Sequence, residues 1–558
     1  MLQRKLFGRL TKVLALGTLC AFATSCSLPR WDGSGDYIRL KGSPSARRST
    51  DSVSRSYPVE PHAAVAEASR APAQGPLEIT VGDAILLALE NNRALSVERL
   101  TPSILATFEE LERARFDPAL SADLSASRER SNQESADTTT SQLGADAAIS
   151  EFLPTGTELS GSLTADRTWG DVLSDQYSTR LGLTVTQALL RGAGLGANLA
   201  DLRQAGLDTL SSQYELRGFA ESLVAQVEVT YWNYTLAERQ IEIFRQSLDL
   251  AEQQLKETQE RINVGTLAET ELAAAQAEVA LRRETLINAR SNLATIRLQF
   301  LQLLNPPGSD MWQRDVVLQT LPAVPEVKLD QVEAHTSLAL RMRPDLNQAR
   351  LAVQRGDLEI VKTKNGLLPK MDLFISLGKT GYADSFGGSV EDIGGKSYDI
   401  SAGIGFEFPI GNRDAGSRHR RAALTLKQAE EALENLAQLV ELDVRCGYIE
   451  VNRALEQIAA TAATRRFQEE KLRAETEKFR VGKSTSLLVA QAQRDLVASQ
   501  ISEVQAVVNY LNSLVDLFRL EGSLLERRGI SAPGREPADV STRLDWPSDY
   551  GSAHPGKL

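Results

Sequence analysis

Gly192-Ala193-Gly194-Leu195-Gly196-Ala197 follows a strand-like segment, opens a helix-like one and fits the G-x-G-x-x-A spacing that cradles a dinucleotide. That chemistry needs a parallel strand ahead of the glycines, continuously apolar because both of its faces are covered. Leu181 to Thr186 instead alternates apolar with polar residues, and no strand–helix–strand series follows. The glycines therefore read as punctuation where a strand becomes a helix. The four histidines, His62, His335, His419 and His554, are scattered without ligand spacing. His419 lies in the basic run Arg418 to Arg421, which suits a charged first helical turn near a membrane boundary better than a ligand site. No nucleophile elbow or phosphate-binding P-loop is present, so the expectation is a chain without catalytic, cofactor-binding or metal-binding residues.

Three cysteines and the N-terminal segment point to export rather than to redox chemistry. Arg4, Lys5, Arg9 and Lys12 precede a short apolar run from Val13 to Ala23, the pattern of a secretory signal over residues 1–25. Ala23-Thr24-Ser25-Cys26 has small residues before a cysteine, as at a bacterial lipoprotein cleavage site, although Ala23 stands where Leu is usual. Either Cys26 is lipidated or the site is an ordinary cleavage site with an incidental cysteine. Cys20 would leave with the signal, and Cys446, alone in a helical pattern, is expected to be a buried small hydrophobe. Residues 26–76 and 531–558 are rich in small and polar residues without periodicity and read as a flexible tether and a disordered tail. The net charge of −11 gives no support to a nucleic-acid partner.

The elements behind these motifs are organised by a repeat. Arg261 to Val279 comes back 217 residues later as Lys478 to Leu496, with Val264 on Val481, Gly265 on Gly482, Ala275 on Ala492 and Gln276 on Gln493. A glycine just after a helix is a stop signal, so each copy reads as a helical hairpin with a tight tip. Ala88-Leu89 with Leu95 also matches Ala339-Leu340 with Leu346, 251 residues on. Two homologous halves follow, 79–305 and 330–525, joined by a linker at 306–329. Ala197 to Asn263 and Asp414 to Arg480 are helical patterns that could reach roughly 100 Å each at 1.5 Å per residue. After the first tip, small and apolar residues from Leu272 to Leu303 recur at spacings of three and four, a coiled-coil seam interrupted by Arg282.

Between the helices the period changes to two. Alternating segments lie near 118–128, 141–152, 156–167 and 177–187 in the first half, with a tight turn at Pro154-Thr155-Gly156. The second half has two more, at Met371 to Leu377 and Ile400 to Phe408. Such alternation suits a membrane β-barrel strand, with lipid on one side and water on the other, and equally a half-exposed soluble sheet. An exported chain with no apolar helix of spanning length can cross a bilayer only as a closed barrel. Each half has too few strands to close one, so a barrel would need several chains.

The duplicated Val-Gly tips, the Ala-Leu helices upstream and the strand ends Gln187 to Gly192 and Phe408 to Gly411 resemble the TolC-type outer-membrane efflux proteins, over about 79–525. The resemblance implies an α+β membrane protein. Its duplicated unit forms, as a homotrimer, a transmembrane β-barrel continuous with a long periplasmic α-helical barrel. It further implies an outer-membrane channel of a tripartite export system, completed by a periplasmic adaptor protein and an inner-membrane efflux pump or secretion ATPase. The adaptor would dock at Val264, Gly265, Val481 and Gly482. The family places an acid six residues after each tip glycine, at the periplasmic entrance; Glu271 holds that place in the first copy and Leu488 in the second. Glu271 is then either part of a cation-favouring ring or a solvated carboxylate at a helix start. The family has four barrel strands per chain, whereas six alternating segments occur here. The surplus reads as an extra hairpin outside the barrel, as longer strands bent at the turn, or as a wider barrel. A different class of protein, a periplasmic coiled-coil scaffold lipoprotein without a pore, would pack one face of the strands on protein instead of lipid.

Overall fold

The computed structural model describes residues 75–538 except 134–135, 172–173, 267, 309, 326–328 and 535. The expected signal, most of the tether, Cys20, Cys26, His62 and His554 lie outside the described residues.

The first repeat opens with a short strand, β1 (Leu77–Ile79), and three helices, α1 (Val81–Asn91), α2 (Arg93–Glu98) and α3 (Thr101–Arg113). Four strands follow: β2 (Ala119–Gln133), β3 (Ala136–Leu153), β4 (Thr157–Gly170) and β5 (Gln176–Ala188). A single turn of helix, α4 (Leu195–Asn198), leads into α5 (Ala200–Asn263), and α6 (Thr270–Leu304) returns antiparallel to it. Strand β6 (Val316–Leu318) pairs parallel with β1. The second repeat runs α7 (Val332–Met342), α8 (Pro344–Gly366), β7 (Lys370–Ala383), α9 (Phe386–Glu391), β8 (Tyr398–Glu407), α10 (Arg413–Arg480) and α11 (Ser486–Leu520), closed by α12 (Leu524–Arg527). The long helices match closely between halves: 64 and 68 residues before the tips, 35 residues after each.

The duplication extends to the backbone angles of the upstream helices. Asn92 breaks the first helix at φ −62° and ψ 124°, and Arg343, 251 residues on, breaks the second at φ −60° and ψ 125°. Both breaks hold matching residues in the core: Ala88 and Leu95 in one half, Ala339 and Leu346 in the other. The polar fixings differ. The Asn92 side chain accepts from Leu95 N (3.0 Å) and donates to Leu303 O (3.0 Å), whereas Arg343 pairs with Asp345 and Asp443 (both 3.0 Å).

Two apolar cores result. One gathers β1, β6, α1, α5 and α6 around Tyr231 and Phe300; the other gathers α7, α8 and α10 around Val440, Val444 and Val451. Helix α11 serves both, sending Val508, Leu511 and Val515 into the first and Tyr510, Leu514 and Leu517 into the second. The linker expected at 306–329 therefore carries a structural strand, since Val316 of β6 is buried in the first core. Arg282 does not interrupt the seam of α6 but is buried within it, paired with Glu278 at 2.6 Å.

Two further expectations change. Cys446 is exposed rather than buried. The buried stripe of α10 runs through Val440, Val444 and Val451, and two residues past Val444 is about 200° around the helix, on its opposite side. The tail expected from Ser531 is packed over its described first residues: Tyr214 donates its hydroxyl to Glu536 O (2.5 Å), and Ala538 N donates to Asn347 Oδ1 (3.0 Å).

Candidate functional site

The two hairpin tips are the same structure built twice. After α5, Gly265 N donates to Ile262 O (2.9 Å) and Thr266 N to Arg261 O (2.9 Å); after α10, Gly482 N donates to Phe479 O (3.1 Å) and Lys483 N to Lys478 O (2.8 Å). This paired pattern is the Schellman stop, which needs a left-handed residue. Gly265 and Gly482 supply it at φ 74° and 75°, in open space where a side chain would meet nothing. The conformation, not crowding, demands glycine. The preceding valines, Val264 and Val481, are 74% and 66% exposed, so each tip presents an apolar side chain to its surroundings.

The tips also touch each other. The Arg261 guanidinium lies 5.1 Å from the centre of the Phe479 ring, and the Ser486 hydroxyl donates to the Glu271 carboxylate. Glu271, in the first turn of α6, thus sits at the first residue of α11, where a helix N-terminus favours negative charge. Leu488 is exposed in the first turn of α11, its backbone N bound to the side chain of the cap residue Thr485. The second tip is braced by Glu475, which accepts from Lys478 (2.7 Å) and Ser484 (2.8 Å); both bonds hold its carboxyl below the usual range.

At the other end of the long helices the six strands form one antiparallel sheet in the order β2-β3-β4-β5-β7-β8. Partners across a ladder share a face, so the register settles which residues belong together. One row runs Leu120, Ile149, Gly161, Leu183, Leu377, Ile400 across all six strands. The adjacent row, on the opposite face, runs Ser121, Ala148, Ser162, Gly182, Gly378, Asp399. One face is therefore mainly apolar over the middle of the sheet and the other is polar and acidic. Asp123 and Asp146 stand opposite each other on the polar face, and Arg180 pairs with Asp399 at 2.7 Å. On the apolar face, at the end far from the long helices, the Arg167 guanidinium lies 4.6 Å from the Trp169 ring and 5.4 Å from that of Tyr177. Aromatic residues of this kind mark a membrane–water boundary.

The glycine-rich segment 192–197 has a structural task. Gly192 and Gly194 take φ 85° and 88°, and Gly194 N donates to Thr155 O (3.1 Å). Asn198 donates its amide to Pro154 O (3.0 Å) and Gly192 O (2.8 Å). A side chain at Gly156 would lie 2.3 Å from Gly192 O, so only glycine lets the β3–β4 turn seat against this junction. All these groups are occupied by the chain itself.

A buried ionic cluster at the waist of the helical region ties the halves together, and sequence reasoning missed it. Arg217 of α5, fully buried, contacts Glu221 (3.2 Å), Glu526 (2.6 Å) and Gly522 O (3.1 Å). His335 of α7 bonds Glu521 through Nδ1, and Glu521 also accepts from Arg527 (3.1 Å) and Ser523 (2.8 Å). Burial pushes the Glu221 carboxyl up to about 8, against the pull of Arg217 beside it. The partners lie up to 309 residues apart, beyond any local signal.

Among the described residues, no helix is long and apolar enough to cross a membrane, and no three His, Cys, Asp or Glu side chains are grouped to hold a metal ion. A sheet with one apolar and one polar face, feeding long helical hairpins, defines a wall segment of a membrane channel. Residues 84–306 and 336–523 match the family described as outer membrane efflux protein, and the chain belongs to that family. It is 24% identical over 376 residues to the outer membrane protein TolC of Escherichia coli, covering 65% of this chain and 73% of that protein. It is 25% identical over 354 residues to the outer membrane efflux protein BepC of Brucella suis, covering 62% and 73%. Its fold is similar to that of a membrane protein from Pseudomonas aeruginosa (TM-score 0.61, 20% identity, 79% of this chain and 90% of that one). The CmeC outer membrane channel of Campylobacter jejuni is similar too (TM-score 0.61, 16% identity, 80% and 86%). The chain is the outer-membrane channel of an export system, not a pore-free scaffold.

Proposed function

We propose that three copies of this chain form one duct, their sheets side by side as the membrane wall and their helical hairpins as its periplasmic continuation. A periplasmic adaptor docks at Val264, Gly265, Val481 and Gly482 and joins the duct to an inner-membrane efflux pump or secretion ATPase. Solutes then cross by diffusion, with energy and selectivity supplied by the partners. The observation that carries the docking assignment is the pair of matching tips, each presenting an exposed valine on a rigid Schellman stop. Apolar side chains held out from a well-formed turn are what a partner surface can bury.

At the periplasmic entrance, Glu271 recurs three times around the threefold axis. A ring of carboxylates favours cations, and Ser486 orients each one from the neighbouring hairpin. Leu488 adds no second ring. Cys26 carries a lipid that anchors the chain to the outer membrane, and loss of palmitate incorporation in Cys26→Ser is the result expected.

The tips are tested with Gly482→Asp. Light scattering of the detergent-extracted particle should still give a trimer, while export fails. A trimeric variant that exports normally would remove the tips from the adaptor site.

A further inference from the structure

The family resemblance implies four barrel strands per chain, and the sheet here has six. We infer that the β3–β4 hairpin is part of the membrane wall, so that β2 of one copy pairs with β8 of the next and three copies close a barrel of eighteen strands. The inference rests on the trimeric reading above.

Position in the sheet is the first reason. β3 and β4 are interior strands, bonded to β2 on one side and β5 on the other, and β2 reaches β5 only through them. Lifting the hairpin out of the wall would break two ladders and detach β2. The β3–β4 ladder pairs Thr140 with Gly170 at one end and Leu153 with Thr157 at the other, longer than the roughly 9–11 residues that cross a bilayer. Its near turn is fixed at the level where wall becomes helix, with Gly156 against Gly192 and Asn198 bonded to Pro154 O.

The faces give the second reason. The apolar face continues through the hairpin, with Ala147, Ile149 and Leu163 on it, and the polar face carries Asp146, Ser162 and Thr164. A hairpin bathed in water on both sides would have no use for an apolar face in register with the lipid-facing one.

The edges give the third. Outward residues on interior strands are roughly half exposed, with Leu163 at 45%, Leu183 at 48% and Leu377 at 42%. On the edges, Leu124 of β2 reaches 84% and Phe406 of β8 reaches 67%, because each lacks a neighbour on one side. Both edges leave a row of backbone groups to be paired, a requirement without exception inside lipid. Six is an even number, so β2 and β8 run in opposite directions, and their union between copies is antiparallel like every other pair in the sheet. The occupant that fits each edge is therefore a second copy of the chain.

Barrel diameter grows roughly in proportion to strand number, so eighteen strands in place of twelve widen the wall about 1.5-fold. Each repeat still sends one long hairpin into the periplasm. The duct is then a broad mouth on a helical section of ordinary size, and the mouth hinders the exit of cargo less than the helical section does.

The test uses single cysteines in the full chain with Cys446→Ala, that parent serving as the blank. On β4 the outward position is Leu163→Cys and the inward one Thr164→Cys; on β5 the corresponding pair is Leu183→Cys and Thr184→Cys. A membrane-impermeant maleimide is applied to the trimer in liposomes, with denatured samples giving full labelling. The inference expects Thr164→Cys and Thr184→Cys to react at least tenfold faster than their outward neighbours. Alternation on β5 with equal, fast labelling at both β4 positions would place the hairpin in water and overturn the inference while leaving the trimeric channel intact. Loss of alternation on β5 as well, or a particle whose mass is not that of a trimer, would overturn the membrane-wall reading itself and this inference with it.

Discussion

The waist and the tips of the helical region are built to opposite rules. At the waist, α5 is locked by Arg217, Glu221, Tyr231 and Tyr234, all buried, and by the segment after α11, which folds back on it through Glu526 and Arg528. At the tips, backbone bonds set the turns, a few exposed side-chain bonds brace them, and the valines face outward. The contrast separates two tasks that one helix performs. The waist fixes how the two repeats stand relative to each other, and the tips leave their valines uncovered, as the proposed docking role requires. Each buried charged side chain at the waist has a charged or backbone partner, although Arg217 Nη1, His335 Nε2 and Glu526 Oε2 make no hydrogen bond.

Substitutions can sharpen or break this contrast. The largest effect is expected for Arg217→Ala, which removes the bonds to Glu526 and Gly522 O and leaves a cavity beside Glu221; a loss of about 3 kcal/mol or more should appear in denaturant unfolding followed by helical signal. An effect below 1 kcal/mol would show that the waist is held by its apolar core alone.

A second expectation concerns pH. The folded Glu221 carboxyl titrates near 8, above its ordinary value of 4.5, so between those limits the native chain keeps a proton that the unfolded chain has released. Its contribution is complete below about 4.5, falls as pH rises towards 8 and is flat beyond. Glu221→Gln should flatten that part of the melting profile; an unchanged slope between pH 5 and 8.5 would assign it to other groups.

The smallest effects belong to the tips. Thr485 caps α11 by accepting from Leu488 N, whereas Glu269 at the start of α6 makes no such side-chain bond. Thr485→Ala should therefore loosen its hairpin by about 1 kcal/mol, read as faster amide exchange over the first turn of α11, while Glu269→Ala changes little. Equal exchange in both variants would make the two helix starts equivalent and erase this difference between the tips. The waist should be unmoved by either change.

Much of this was legible in the chain. The duplicated Val-Gly tips, the helix lengths and the six alternating segments each follow from a short-range pattern, because a helix repeats every 3.6 residues and a strand every two. The position of Cys446 was within reach as well, since the phase of Val440, Val444 and Val451 puts it off the buried stripe. Ser486 against Glu271 and Arg217 against Glu526 were not, because each pair joins the two repeats and neither residue carries a mark of its partner.

By itself the sequence determined the long helices, the six alternating strands, their order and which side of each strand is apolar. Only the tertiary structure decided that β5 of the first repeat pairs with β7 of the second, and that β3 and β4 lie inside a single sheet rather than beside it. Alternation tells a strand which way to face and says nothing about which strand it will face. That choice depends on ladders and packing formed between residues far apart in the chain, where energies are set by the partner and not by the local pattern.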